Sequence, residues 1–283
     1  MSNSRFGNRT RTGNVQDWMV PSFFTYDADA LAFINASGIS NLTQKFAINF
    51  LTVGLKENGI WTSSTGIYPV VGGTAFSHKF NLKNPADTDA AFRLSFSAGW
   101  THSDTGMTPN GTSAWADTFI VPSTDLSTDS IYVSYYSRSN VGESNTNALG
   151  CASPSPGFAD RLGIRIRRAT NKLAGLMSNA TAADIIEYDN TDSLGFYVFT
   201  SVGTARAMYK NGVILSSVVT TSLGTQAPNV SISIAAENRS TGPVVFDNKE
   251  CAFCAIGTQL TNSQAVSLNA LVATYQKILN RNV

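Results

Sequence analysis

The 283-residue sequence predicts a mainly β protein, an antiparallel β-sandwich with short helices ahead of it and one helix at its C-terminal end. Three observations carry this. The runs Ala205–Lys210 and Val213–Val219 are joined by Asn211-Gly212, which supplies the positive φ that both central residues of a type I′ turn need. From Trp61 to Ile256 the chain reads as short strands separated by turn residues, in the number and spacing of two packed sheets. After Ile256 come a glycine, a polar turn and a helix, with Thr261 and Gln264 set as a capping box.

The elements follow in order. Residues 1–20 are an extended arm carrying Arg5, Arg9 and Arg11, with no acid before Asp17 and with Phe6, Trp18 and Met19 as isolated apolar points. Such an arm orders on a neighbouring subunit, or frays. Residues 21–283 form the sandwich domain. Asp27 or Asp29 caps a helix reaching about Asn35, stopped by Gly38. A second helix starts at Thr43, with Phe46, Phe50 and Val53 on one stripe, Ala47, Leu51 and Leu55 beside it, and Gly59 as its C′ residue. Strands are expected at Ile67–Val71, His78–Leu82, Ala91–Ser97, Thr118–Val121, Ile131–Ser137, Leu162–Arg167 and Lys172–Met177. A meander over Gly195–Ser201, Ala205–Lys210 and Val213–Val219 follows, then Asn229–Ala236 and Glu250–Ile256. The two-residue turn pairs Lys210 with Val213, Tyr209 with Ile214 and Met208 with Leu215. The last helix runs from Asn262 to about Asn280, with Leu268, Leu271, Val272, Tyr275, Ile278 and Leu279 on its apolar face.

Composition narrows the partners. A formal net charge of +1 gives no global field for nucleic acid or acidic substrates. No run reaches the roughly 18 apolar residues of a membrane span. The opening MSNSRFGNRTRTG lacks the apolar core of a secretory signal. Cys151, Cys251 and Cys254 are too few and odd in number for a disulfide framework. Cys251 and Cys254 lie in a strand, where residues three apart face opposite ways, and the two histidines, His78 and His102, are distant in sequence, so buried thiols are expected rather than a metal site.

The Tyr209-Lys210-Asn211-Gly212 hairpin and the late Ile256-Gly257-Thr258-Gln259-Leu260-Thr261 turn resemble the concanavalin A-like lectin/glucanase superfamily in its laminin-G-like branch. Tyr68–Leu82, Asp89–Thr101 and Asn248–Ile256 are similar to phage virion proteins with this sandwich, over roughly residues 27–283. The resemblance implies a concanavalin A-like jelly roll. Laminarinase-like members carry Glu-x-Asp-x-x-Glu, two of whose carboxylates perform glycoside hydrolysis. Here Glu187, Asp189 and Asp192 come close, but the last is one methylene short and the stretch reads as a solvated turn. Asn84, Asp87 and Asp89 are too few oxygens for a calcium loop. Arg161, Arg165, Arg167 and Arg168 lack the interleaved aromatics of a nucleic-acid surface.

Trp100, Trp115, Tyr135 and Tyr136 are the candidate glycan-contacting residues, with Asn110 and Asp117 as polar neighbours for hydroxyls. The functional expectation is a non-enzymatic phage virion structural protein on the particle surface: a head fibre, decoration, spike or tail-fibre component. It would be attached to other virion proteins through the arm residues Arg5, Phe6, Arg9, Arg11 and Trp18. It would be homo-oligomeric, with a host surface glycan as a further partner. No cofactor, metal, nucleic acid or membrane is expected. The alternative is a secreted carbohydrate-binding module or lapsed glycoside hydrolase, which would need a signal peptide.

Overall fold

The computed structural model describes residues 25–127, 130–142, 145–153, 160–177, 185–219 and 227–283. The arm residues Arg5, Phe6, Arg9, Arg11 and Trp18 lie outside them. The chain opens with helices α1 (Ala28–Ser37), α2 (Leu42–Glu57) and α3 (Ile60–Ser63), then β1 (Ser64–Tyr68) and α4 (Ala75–His78). Short strands β2 (Ser95–Phe96), β3 (Trp100–Ser103), β4 (Gly106–Pro109) and β5 (Ala116–Asp117) precede helix α5 (Pro122–Asp125). The longer strands are β6 (Ser130–Ser137), β7 (Leu149–Ala152), β8 (Arg161–Arg168), β9 (Lys172–Met177), β10 (Ile185–Asp189), β11 (Gly195–Val202), β12 (Ala205–Lys210) and β13 (Val213–Val219). β14 (Ser233–Ile234), β15 (Asn238–Arg239), β16 (Cys251–Gly257) and helix α6 (Asn262–Ile278) complete it.

These strands make two sheets. The first runs β13-β12-β11-β6-β16-β4-β3, with β1 also on β16; the second runs β10-β9-β8-β7-β14-β5-β2, with β15 also on β7. All pairs are antiparallel except β15 with β7. The mainly β sandwich expected from the sequence is therefore the fold. It has a third layer, because the helices cover the first sheet. On that sheet Val133, Tyr135, Tyr197, Phe199 and Ile256 face the second sheet, against Leu149, Leu162, Ile164 and Leu173. The alternate residues Tyr132, Tyr136, Phe196, Val198 and Phe253 face Phe33, Leu51, Leu268 and Val272 of the helices. Period-two alternation sends successive side chains to opposite faces, so both faces of the first sheet are apolar. Each fully buried side chain of this kind contributes about 1.5–3 kcal/mol.

Local chemistry explains where the elements begin and end. Asp27 caps α1 by accepting from the backbone N–H of Asp29 and Ala30, and Gly38 closes it in the left-handed region at φ 70°. α2 is capped by Asn41 and buries Ala47, Ile48, Leu51 and Leu55, while Phe46 points outward. The expected Phe46 stripe is thus displaced by the one beside it. His78–Leu82 is not a strand: Thr74 and Ser77 cap each other's backbone and wind Ala75–His78 into α4. Thr118–Val121 is not a strand either, because Thr118 Oγ1 donates to the Ile232 carbonyl and Phe119 sits at φ 57°. The pairing falls two residues earlier, at β5. A bulge in β16 between Cys251 and Phe253 places Cys251 and Cys254 on the same core-facing side, correcting the expectation that they diverge. Both thiols are free and buried, which pushes Cys251 up to about 12.

The hairpin register is as expected for Lys210–Val213 and Tyr209–Ile214, but a bulge then pairs Met208 with Ser216 in place of Leu215. Asn211 and Gly212 have φ 51° and 79°. A Cβ on Gly212 would also lie 2.7 Å from Asn269 Nδ2 of α6. Gly212→Val is therefore expected to cost about 1–3 kcal/mol. Chemical denaturation with an unchanged midpoint would contradict this.

Candidate functional site

The first sheet ends at β3 and the second at β2, and the two edges are joined by Ser97-Ala98-Gly99. The chain thus crosses from one sheet to the other at an open side of the sandwich, with Gly99 at φ 98°. This places three rings together. Phe96 lies 5.5 Å from Trp100 and 4.7 Å from His102, both edge-on, and Trp100 stacks beside His102 at 6.2 Å. Trp100 Nε1 donates to the Trp115 carbonyl at 3.1 Å. That carbonyl also accepts from Ser97 N, and Trp115 N donates to Ser97 Oγ. Phe96, Trp100, His102 and Trp115 are all half-buried, and Phe96 and Trp100 pack one side on the inter-sheet core.

Trp100 and the Trp115 backbone are therefore brought together at this edge. Tyr135 and Tyr136 are not. They are neighbours on β6, so one faces the inter-sheet core and the other the helices, and both are buried. Tyr135 O–H donates to the Lys249 carbonyl at 2.8 Å, and the Tyr136 hydroxyl accepts from Val283 N at 2.9 Å. Neither offers a ring to a ligand. Asn110 Oδ1 accepts from the N–H groups of Thr112, Ser113 and Ala114, so it shapes the β4–β5 loop under Trp115. Asp117 Oδ1 accepts from Phe119 N.

The histidines, 24 residues apart, form the part of the site that motif reading missed. His78 Nδ1 lies 3.0 Å from His102 Nδ1, and Gly73 N donates to His78 Nε2 at 3.2 Å. Beneath them the buried Arg281 guanidinium binds the carbonyls of Pro69, Val70, Asp104 and Ala252 and the side chain of Gln276. Asp104, two residues past His102, also lines a polar groove of ≈ 450 Å³ with Ser37, Asn41, Gln44, Thr74 and Phe76.

The acidic and basic motifs lie elsewhere and are paired internally. Glu187 and Asp189 are on strand β10, not in a turn; Glu187 meets Arg168, and Asp189 meets Lys172 at 2.5 Å. Asp87 binds Lys79 and Arg93, and Asp89 binds Arg93. Arg165 pairs with the buried Glu237, and Arg167 with Asn140 and Asn171. Among the described residues no helix is long and apolar enough to cross a membrane.

The chain matches no protein-family model and no curated protein. Among solved structures it is similar to a Trypanosoma rangeli sialidase in complex with 2,3-difluoro-KDN, with TM-score 0.52 and 12% identity over 80% of this chain and 39% of that one. It is also similar to a structure of botulinum neurotoxin type C, with TM-score 0.53 and 13% identity over 78% of this chain and 53% of that one. The CBM40 of a Ruminococcus gnavus IT-sialidase, bound to α2,3-sialyllactose, aligns at TM-score 0.40 and 10% identity over 50% of this chain and 81% of that one.

The sandwich fold is shared. This chain spans 39% of the sialidase chain and 53% of the neurotoxin chain in those structures. The expectation that the chain is not an enzyme is corrected: sialidases are glycoside hydrolases, and they stand among the proteins that have this fold. The departure of Glu187, Asp189 and Asp192 from the laminarinase pattern speaks to that one set of carboxylates only. None of the three structures is a virion protein.

Burial, the His102 ring and the Arg281 guanidinium push His78 down to about 3. An unfolded histidine titrates near 6.5, so between roughly 6.5 and 3 the unfolded chain binds a proton that the folded chain refuses. The contribution to stability is full above that window and is lost as pH falls through it, by up to about 1.4 kcal/mol per pH unit. The stability lost on acidification should be smaller in His78→Gln than in wild type. Parallel stability–pH curves for the two would contradict this.

Proposed function

We propose that the chain is a glycan-binding β-sandwich whose binding surface is the aromatic edge formed by Phe96, Trp100 and His102, held by the Trp115 backbone. The observation that carries this is the Trp100 ring, half-buried where the β3 edge of the first sheet meets the β2 edge of the second, with its N–H held by the Trp115 carbonyl. An indole fixed in this way presents an apolar face without the entropy cost of ordering a free side chain, and sugars offer matching C–H faces. The exposed Ala98, Gly99, Thr101, Asn110, Thr112 and Ser113 surround it with hydroxyl, amide and backbone groups that suit sugar hydroxyls. The glycan ligands named for structures of this fold, a sialic acid analogue in the sialidase and two gangliosides in the toxin, support the choice of sialylated glycans as first probes.

A place on a virus particle, in a homo-oligomer attached through residues 1–20, is a separate proposal that rests on the sequence resemblance. Mass spectrometry of purified particles tests it.

A glycan microarray followed by calorimetry tests the binding reading. Wild type should bind a sialylated glycan, and Trp100→Ala should weaken it by about tenfold or more, equal to about 1.4 kcal/mol. Trp115→Ala should weaken it less, with the thermal midpoint of each variant recorded alongside. Absence of glycan binding by wild type, or full affinity in a folded Trp100→Ala, would overturn the proposal.

A further inference from the structure

We infer that His78 is a positioning residue that fixes His102 as an Nε2–H donor at the aromatic edge, so that the site selects a sugar presenting an acceptor oxygen beside the Trp100 ring. The ligand half of this inference rests on the glycan-binding reading; the hydrogen-bond half does not.

Hydrogen-bond direction fixes the two tautomers. A backbone N–H can only donate, and Gly73 N–H points at His78 Nε2 at 3.2 Å. His78 Nε2 is therefore an acceptor and carries no proton. A neutral imidazole has one N–H, so the proton of His78 is on Nδ1. His78 Nδ1 lies 3.0 Å from His102 Nδ1. Two N–H groups cannot face each other at that distance, so His102 Nδ1 accepts. Its own proton is then on Nε2, and the ring cannot take a second proton without breaking the chain.

His78 is 1% exposed and both of its ring nitrogens are engaged, so it has no other role to play toward solvent. His102 is half-buried between Phe96 and Trp100. Its Nε2 has no partner among the described residues and is not one of their buried unsatisfied atoms, which leaves it open to solvent.

The start of the chain is itself held. Gly73 has φ 75°, and a Cβ there would fall 2.6 Å from Asp104 Oδ1. The Pro69 and Val70 carbonyls that lead into it are bound by Arg281, as is the Asp104 carbonyl beyond His102. One buried guanidinium thus sets the spacing between the segment that orders His78 and the hairpin that carries His102. The result is a neutral, oriented donor next to an indole. It complements a ring, hydroxyl or carboxylate oxygen, and it gives nothing to a ligand that offers only donors at that point.

Long-range proton–nitrogen NMR of the full chain with labelled histidine reads the protonation site directly. At neutral pH the expected spectrum shows His78 protonated on Nδ1 and His102 on Nε2. In His78→Phe the His102 Nδ1 resonance should move to that of a free acceptor and the His102 titration midpoint should rise. His78→Gln, which can accept from Gly73 and donate to His102, should restore both toward wild type and covers the case in which His78→Phe does not fold. With 3′-sialyllactose as the probe, the His102 Nε2 signal should shift on binding, and His102→Phe should weaken binding by about tenfold. His102 protonated on Nδ1, or charged at neutral pH, overturns the inference. The expected protonation pattern without any glycan binding would uphold the histidine relay and defeat the glycan reading alone.

Discussion

The interaction on which the structure depends is the Arg281 guanidinium. It is 2% exposed and has no carboxylate within ion-pairing distance among the described residues. Its five N–H donors meet five acceptors: Gln276 Oε1 at 2.6 Å, and the carbonyls of Val70, Asp104, Pro69 and Ala252 at 2.7, 3.2, 3.0 and 3.0 Å. A buried charge is tolerated only when every donor is satisfied, and here backbone dipoles do this in place of an opposite charge. The bonds join the end of α6, the β1–α4 link, strand β16 and the β3–β4 turn. Tyr275 adds a bond from its hydroxyl to the Pro69 carbonyl, and its ring lies 5.4 Å from the guanidinium carbon. Burial lowers the Arg281 pKa, but an arginine stays protonated, so the positive charge persists and helps to keep His78 neutral.

The helical layer decides where a ligand can reach the sandwich. Because Tyr136, Phe196, Val198 and Phe253 are covered by α1, α2 and α6, the outer face of the first sheet is core. What remains is the outer face of the second sheet and the sandwich edges. The second sheet's face carries Arg165 and Glu187, but these spend their charge on Glu237 and Arg168. The β2–β3 edge instead holds rings that are packed on one side and open on the other, which is the arrangement a sugar face requires.

The parts legible in the sequence were those fixed by neighbouring residues. The α1 cap, which falls on Asp27 of the two candidates Asp27 and Asp29, the Asn211-Gly212 turn and the α6 capping box are all set within a few positions. Where long-range contacts compete, local reading failed. His78–Leu82 reads as a strand, yet the Thr74–Ser77 cap winds Ala75–His78 into a helix. The β3–β4 hairpin carries no strong turn signal, and two-residue strands such as β2, β5 and β14 exist only because a partner lies alongside. In the site, the two tryptophans could be picked out by type. The burial of Tyr135 and Tyr136 depends on the helices that cover the first sheet. His78, His102 and Arg281 are joined only by the folded chain, and no spacing in the sequence brings them together. Thr74 and Ser77, three apart, were the one local signal near them.

The central claim is that the β2–β3 edge is where a glycan meets this sandwich. The measurement that tests it most directly is amide and side-chain chemical-shift mapping of the intact chain titrated with 3′-sialyllactose. Saturable shifts are expected, centred on the Trp100 indole, Phe96 and His102, with the β8–β10 face unmoved. Shifts centred on Arg161, Arg165 and Glu187, leaving Trp100 unchanged, would place the site on the second sheet and contradict it.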